Sequence, residues 1–201
     1  MNHTEGVGKV SNRIRYIILN GPPGSGKTEL AKEITRALSR YSNCAVAQDS
    51  LAAPMKRFFS SALGDKYQSM NKENPMPELN GYSLREALID MAENYIKARY
   101  GQDVFGRWLH HRCIRNLKSV VLNPNVQHTY IVIDDGGFVP EVEVLENRLV
   151  IRLFRPGKTF KGDSRGYVTP YHHLFNNIGD LSTVWTEALK IAEQAQTFRW
   201  K

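Results

Sequence analysis

Residues 19–30 read LNGPPGSGKTEL. The stretch fits Gly21-x-x-x-x-Gly26-Lys27-Thr28, the spacing of a phosphate-binding loop. Its flanks meet the structural condition of that loop. Residues 15–19, RYIIL, form an apolar β-rich run, and Asn-Gly-Pro-Pro-Gly cannot continue it in a sheet. Over residues 27–41 the apolar positions Leu30, Ala31, Ile34, Ala37, Leu38 and Tyr41 recur at helical spacing. In such a strand–loop–helix, Gly21, Gly24, Ser25 and Gly26 let backbone N–H groups turn inward around phosphate oxygens, aided by the helix dipole. Lys27 then reaches the β- and γ-phosphates and Thr28 can ligate Mg²⁺, so ATP and Mg²⁺ are the expected ligands.

Working outward, CAVA (44–47) reads as a buried strand, with Asp49 just past its end. TYIVI (129–133) is the strongest strand signal and runs into Asp134-Asp135-Gly136-Gly137. LVIRLF (149–154) and residues 173–177 complete the set. Helices are expected at 51–63, with a proline near the start, at 103–117, briefly from Pro140 through Val142, Val144 and Leu145, and at 181–198, capped by Asp180 or Ser182. Ser83 and Glu86 have capping-box spacing and open a helix with the stripe Leu84, Ala87, Leu88, Met91, Ala92 and Tyr95. Residues 64–81 read as a polar surface loop or flap. Strands separated by helices imply parallel βαβ units in an α/β fold, a sheet covered on both faces, and ligands beyond the strands' carboxyl ends.

The 201 residues suit one domain, 1–201, of ordinary globular composition. A formal net charge of +7 suits polyanionic partners, nucleotide phosphates or nucleic acid. Cys44 and Cys113 lack metal-ligand spacing and are expected as reduced thiols. The N-terminal residues lack a signal-peptide core and no apolar run could cross a bilayer, so a soluble cytoplasmic protein is expected.

Several side chains fall at the expected ligand edge. Asp134 or Asp135 suits a magnesium contact of the Walker-B type; the division adopted gives Asp134 to the metal and Asp135 to the substrate. Arg155, Lys158, Lys161 and Arg165 crowd a basic loop with a single acid, Asp163, which reads as a lid that closes over the nucleotide, Arg165 being the chief catalytic candidate. Arg85 and Arg107 lie near helix starts and could grip an acceptor anion through bidentate forks. Asp49 could serve an acceptor as base or as a reader of its sugar or base. His110-His111 and His172-His173 are adjacent pairs that diverge on a helix, without converging thiols.

The loop alone does not name the phosphate's destination. Asn71-Lys72-Glu73-Asn74 lacks the aspartate of a guanine-reading element, which sets a GTPase aside. Plentiful arginines lean toward an acceptor that is itself a phosphate, because an anionic oxygen needs positioning more than a base. LNGPPGSGKTELAKEI, DSLAAPMKRFF, YSLREALIDMAENYIKARYGQDVFGRWL, YIVIDDGGFVPEVEVLE, RLFRPGKTFKGDSRGYV and LFNNIGDLSTVW, in this order, make the chain resemble the bacteriophage deoxynucleoside monophosphate kinases of the P-loop nucleoside monophosphate kinase group.

The resemblance implies a three-layer P-loop kinase fold with a parallel five-stranded sheet, an acceptor-binding region around 50–110 and a lid around 155–168. It implies transfer of the ATP γ-phosphate to a deoxynucleoside monophosphate in the infected host's cytoplasm. Arg85 and Arg107 would then sit near the acceptor phosphate, Asp49 near the acceptor and Arg165 in the lid. The T-even members carry an arginine in the turn where this chain has Gly136-Gly137-Phe138, so that arginine's role does not carry over. No stable nucleic-acid partner is expected, and a homodimer is compatible with the reading. Two rivals stand beside it: a kinase of a nucleoside hydroxyl or of a hydroxymethylated base in DNA, which would use Asp49 as base, and a nucleotide-gated DNA-binding module.

Overall fold

The computed structural model describes residues 13–64, 67, 71–121 and 123–200. The segment MNHTEGVGKVSN and residues 65, 66 and 68–70 of the flap lie outside the described residues. Five strands, β1 Ile14–Asn20, β2 Cys44–Asp49, β3 His128–Gly136, β4 Arg148–Phe154 and β5 His173–Asn176, form one sheet in the order β2-β3-β1-β4-β5. Every pairing is parallel. This is the α/β architecture expected from the sequence, with β1 at the sheet centre and its phosphate-loop turn at the carboxyl edge.

The central strands read as continuous apolar runs because both faces are covered. On one face Ile17 and Leu19 of β1, Tyr130 and Val132 of β3, and Leu149, Ile151 and Leu153 of β4 pack with α1 (Lys27–Leu38) and α6 (Leu181–Thr197). On the other, Tyr16 and Ile18, Ile131 and Ile133, and Val150 pack with α2 (Ala53–Leu63), α3 (Leu84–Asp90), α4 (Val104–Val121) and the short α5 (Val139–Glu143). Strand parity therefore fixes which helices a given side chain meets.

Three local expectations change. Helix α1 ends at Leu38, and Tyr41 is left 38% exposed because the chain turns through Ser39 to enter β2. The described part of the flap is ordered: Pro77–Leu79 form a 3₁₀ turn, Asn80 is left-handed, and Pro75 pairs with Ser83 in an antiparallel bridge. Helix α3, opened by the Ser83–Glu86 capping box as expected, passes into a π-helical stretch, Met91–Lys97, and ends with the turn Ala98–Tyr100. A π turn closes over five residues. It thereby brings Lys97 beneath Ala92 on the buried face, and Tyr95, expected on the apolar stripe, stays 60% exposed.

Helix α4 approaches α5 through Gly106, where a β-carbon would stand 2.1 Å from the Glu141 carbonyl oxygen and 2.5 Å from Val144. Backbone cannot yield as a flexible side chain can. Gly106→Ala should therefore destabilise the protein by roughly 1–3 kcal/mol despite the better helix propensity of alanine. Urea unfolding checks this, and an unchanged midpoint would contradict the close packing.

Candidate functional site

The loop after β1 folds as the glycine pattern requires. Gly24 and Gly26 have φ of 71° and 97°, and Gly26 is the left-handed N-cap of α1. Such values favour glycine and tip successive N–H groups toward one concavity. Asn177, just past β5, donates through Nδ2 to the Ser25 carbonyl at 2.8 Å and buttresses the loop from behind. Lys27 Nζ lies over the loop, donating to the carbonyls of Gly21 at 2.6 Å and Pro22 at 2.8 Å. Burial first, then the Arg165 cation, lowers the Lys27 pKa to about 8, with Asp134, Asp163 and Asp135 opposing the shift.

Parity separates the two aspartates of β3. Asp134 follows Val132 toward the α1 face, where its Oδ2 accepts from Thr28 Oγ1 at 3.0 Å. Asp135 follows Ile133 to the opposite face and serves the entry of α2: it accepts from the backbone N–H groups of Leu51 (2.8 Å) and Ala52 (3.1 Å) and from Ser50 Oγ. Lys56 Nζ stands 3.5 Å away from it. The Thr28–Asp134 pair is a donor set of hard oxygens, the type that suits Mg²⁺ with substrate phosphates completing the shell.

From this corner a cleft of about 550 Å³ opens between loop, α2, α3 and the basic segment. Lys27, Thr28, Arg85, Asp134, Asp135 and Arg165 all line it. Asp163 ties its two sides together. Arg165 donates through Nε to Asp163 Oδ1 at 2.8 Å and through Nη2 to Oδ2, and Arg85 Nη2, from α3, donates to the same Oδ2 at 2.7 Å. Burial alone would raise the Asp163 pKa, but these bonds and the two cations hold it down to about 2. The carboxylate is therefore ionised at any working pH.

The basic segment also lies against the phosphate loop. Arg155 Nη1 donates to the Gly24 carbonyl at 3.3 Å, and the Lys158 side chain comes within 3.3 Å of where a Gly24 β-carbon would stand. The stem of Arg165 fills the space above Gly137, 2.6 Å from a β-carbon position there, so a side chain at 137 and this placement of Arg165 exclude one another.

Two sequence candidates stand elsewhere. Arg107 is exposed on α4, bound to Asp103 at 2.8 Å and to the Tyr100 carbonyl, and does not line the cleft. Asp49 ends β2 and is held by Arg112, whose Nη2 is 3.0 Å and Nε 3.3 Å from its carboxylate; it too is not among the cleft residues. Among the described residues no three His, Cys, Asp or Glu side chains gather as a metal cage, and His110 Nδ1 pairs with Tyr16 Oη at 2.8 Å. No helix of the described chain is long and apolar enough to cross a membrane.

Residues that the sequence reading passed over complete the site. Asn20, fully buried at the end of β1, donates to the carbonyls of Gly136 and Gly166, both at 2.9 Å, and accepts from Val168 N–H at 2.8 Å. It joins β1, β3 and the end of the basic segment. A buried asparagine closing an otherwise apolar strand was the available signal. At the far end of the cleft Lys97 Nζ, 2% exposed as a residue, lies 2.9 Å from Glu141 Oε1, 3.0 Å from Glu93 Oε1 and 3.1 Å from the Phe138 ring centroid. Burial raises the Glu141 pKa to about 7, against the pull of Lys97.

No family model matches the chain. Over 90 residues, 42% of this chain, it is 33% identical to a protein of Arabidopsis thaliana described as "Pachytene checkpoint protein 2 homolog"; the match spans 19% of that relative's length. Among solved structures it is similar to an unliganded sugar kinase from Janibacter sp. HTCC2649, with a TM-score of 0.44 and 12% identity over 88% of this chain and 93% of that one. The chain carries a P-loop between β1 and α1 of a parallel five-stranded α/β sheet.

Proposed function

We propose that the protein is an ATP-dependent phosphotransferase whose acceptor is a deoxynucleoside 5′-monophosphate. The observation that carries the reading is the convergence of Arg85 and Arg165, from opposite sides of the cleft, on one anionic point beside Lys27. A donor cradle faced by a second anion-gripping pair fits a reaction between two phosphates. In the reaction an acceptor phosphate oxygen attacks the γ-phosphorus, the bond from that phosphorus to the β-bridging oxygen breaks, and ADP leaves. Mg²⁺, held by Thr28 and Asp134 together with the phosphates, would neutralise charge on the β- and γ-oxygens. Lys27 grips the β- and γ-phosphates, Arg165 stabilises the group in flight, and Arg85 orients the acceptor. The basic segment, reaching Gly24 through Arg155 and Lys158, excludes water.

The phosphate acceptor is favoured over a hydroxyl because the carboxylates near the loop are engaged. Asp49 is held by Arg112, Asp134 by Thr28, Asp135 by the α2 entry and Asp163 by two arginines. Incubation with γ-labelled ATP, Mg²⁺ and a panel of deoxynucleosides, their monophosphates and DNA tests the reading. Labelled diphosphates support it; label confined to nucleosides or DNA overturns it.

The lowered pKa of Lys27 gives a pH dependence. Phosphate binding needs the ammonium form, so ATP affinity should fall as pH rises through about 8, with Kd approaching a tenfold rise per pH unit above it. Calorimetric titration from pH 7 to 9.5 checks the sign, and a flat Kd would contradict the role of Lys27.

A further inference from the structure

We propose that the Glu93–Lys97–Glu141 group is the floor of a nucleobase pocket, and that it selects bases bearing an exocyclic amino group over thymine. The inference rests on the acceptor reading above and adds the class of base. Leu51, Met55, Leu88, Ala92, Phe105 and Phe138 supply apolar and aromatic walls at this end of the cleft, suited to a flat ring. Glu93, Lys97 and Glu141 line the same cleft, with Asp135 and Arg165 within electrostatic reach of Glu141.

The floor is rich in acceptors. Two carboxylates offer four oxygens, whereas the one ammonium carries three N–H groups and also stands over the face of Phe138. With both carboxylates ionised, the state above the Glu141 pKa of about 7, the formal charge of the trio is −1 in an apolar setting. A ring edge that brings N–H donors fills the surplus, and the amino groups of adenine, cytosine and guanine do so. Thymine flanks its single ring N–H with two carbonyls, which would face carboxylate oxygens unpaired; a buried mismatch of this kind is costly.

The local backbone supports a purpose beyond packing. Lys97 reaches this floor only because the π-helical stretch Met91–Lys97 turns it inward, and single π turns in helices concentrate at functional sites. Glu141 is brought to the same point by α5, directly after the Gly136-Gly137-Phe138 turn. No part of the phosphate chemistry needs these three residues.

The test measures kcat/KM for dAMP, dCMP, dGMP and dTMP in wild type and in Glu141→Gln, with calorimetric binding of the four unphosphorylated deoxynucleosides alongside. At least one amino-bearing substrate should exceed dTMP by about tenfold or more, and Glu141→Gln, whose amide both donates and accepts, should narrow that ratio at least severalfold. Glu93→Gln, on a less buried carboxylate, should narrow it in the same direction and serves if the first variant does not fold. Equal use of dTMP by wild type, or ratios unmoved in both folded variants, overturns the proposal. If no monophosphate is phosphorylated, the kinase reading fails separately, and the deoxynucleoside binding order still decides the pocket.

Discussion

Lys27→Ala lowers phosphoryl transfer by two to three orders of magnitude while leaving the fold intact. The size follows from removing one charge-bearing donor aimed at the transferring group in a water-poor site, worth roughly 3–4 kcal/mol of barrier. Stability should hold because the hydrogen bonds that Lys27 makes stay within its own loop, to the Gly21 and Pro22 carbonyls and to Ser25 Oγ, and join no two elements of the fold. Loss of a buried ammonium whose pKa is depressed also removes a desolvation cost. Single-turnover transfer measured beside thermal unfolding separates the two effects. Near-normal turnover would remove the phosphate-loop assignment.

The second large effect concerns Asp163 and its two arginines. Arg165→Ala should lower kcat about a hundredfold with little change in ATP affinity, since Arg165 acts on the group in flight. Arg85→Ala should act mainly through the acceptor, raising its KM. Asp163→Ala is expected to cost nearly as much as Arg165→Ala. Without the carboxylate, two guanidiniums face each other across the cleft and the basic segment loses its tie to α3. The three residues work as one unit, so the Asp163→Ala, Arg165→Ala double variant should be hardly worse than either single one. Multiplying losses in steady-state kinetics would show independent roles.

Much of this architecture was legible in the chain. The Gly-x-x-x-x-Gly-Lys-Thr spacing, with apolar runs before and after it, located β1, the loop and α1, and β-branched residues marked β3 and β4. The roles of Asp134 and Asp135 were readable in principle, since alternation puts neighbouring strand residues on opposite faces. What composition could not supply was which face met α1. Arg112 escaped notice because its partner Asp49 lies 63 positions away, and only the packing of α4 beside β2 joins them. Asp163 stood out as the lone acid of a basic loop, yet its role depends on Arg85, 78 positions earlier. Lys97 was hidden for another reason. Helical periodicity assumes 3.6 residues per turn, and the Met91–Lys97 stretch departs from it.

That departure makes the far end of the cleft a matter of counting. An uninterrupted α-helix would turn Tyr95 inward beside Ile96, which already packs on the core, and leave Lys97 facing solvent, with the same amino acids in the same order. The chemical character of the pocket floor is thus written in the length of a helical turn: Lys97 stacks under Ala92 only while five residues close that turn, and removing one residue between them would let an ordinary four-residue turn carry Lys97 to the same place. A chain one residue shorter here and helical throughout would present the same floor, whereas one of equal length without the wide turn would not.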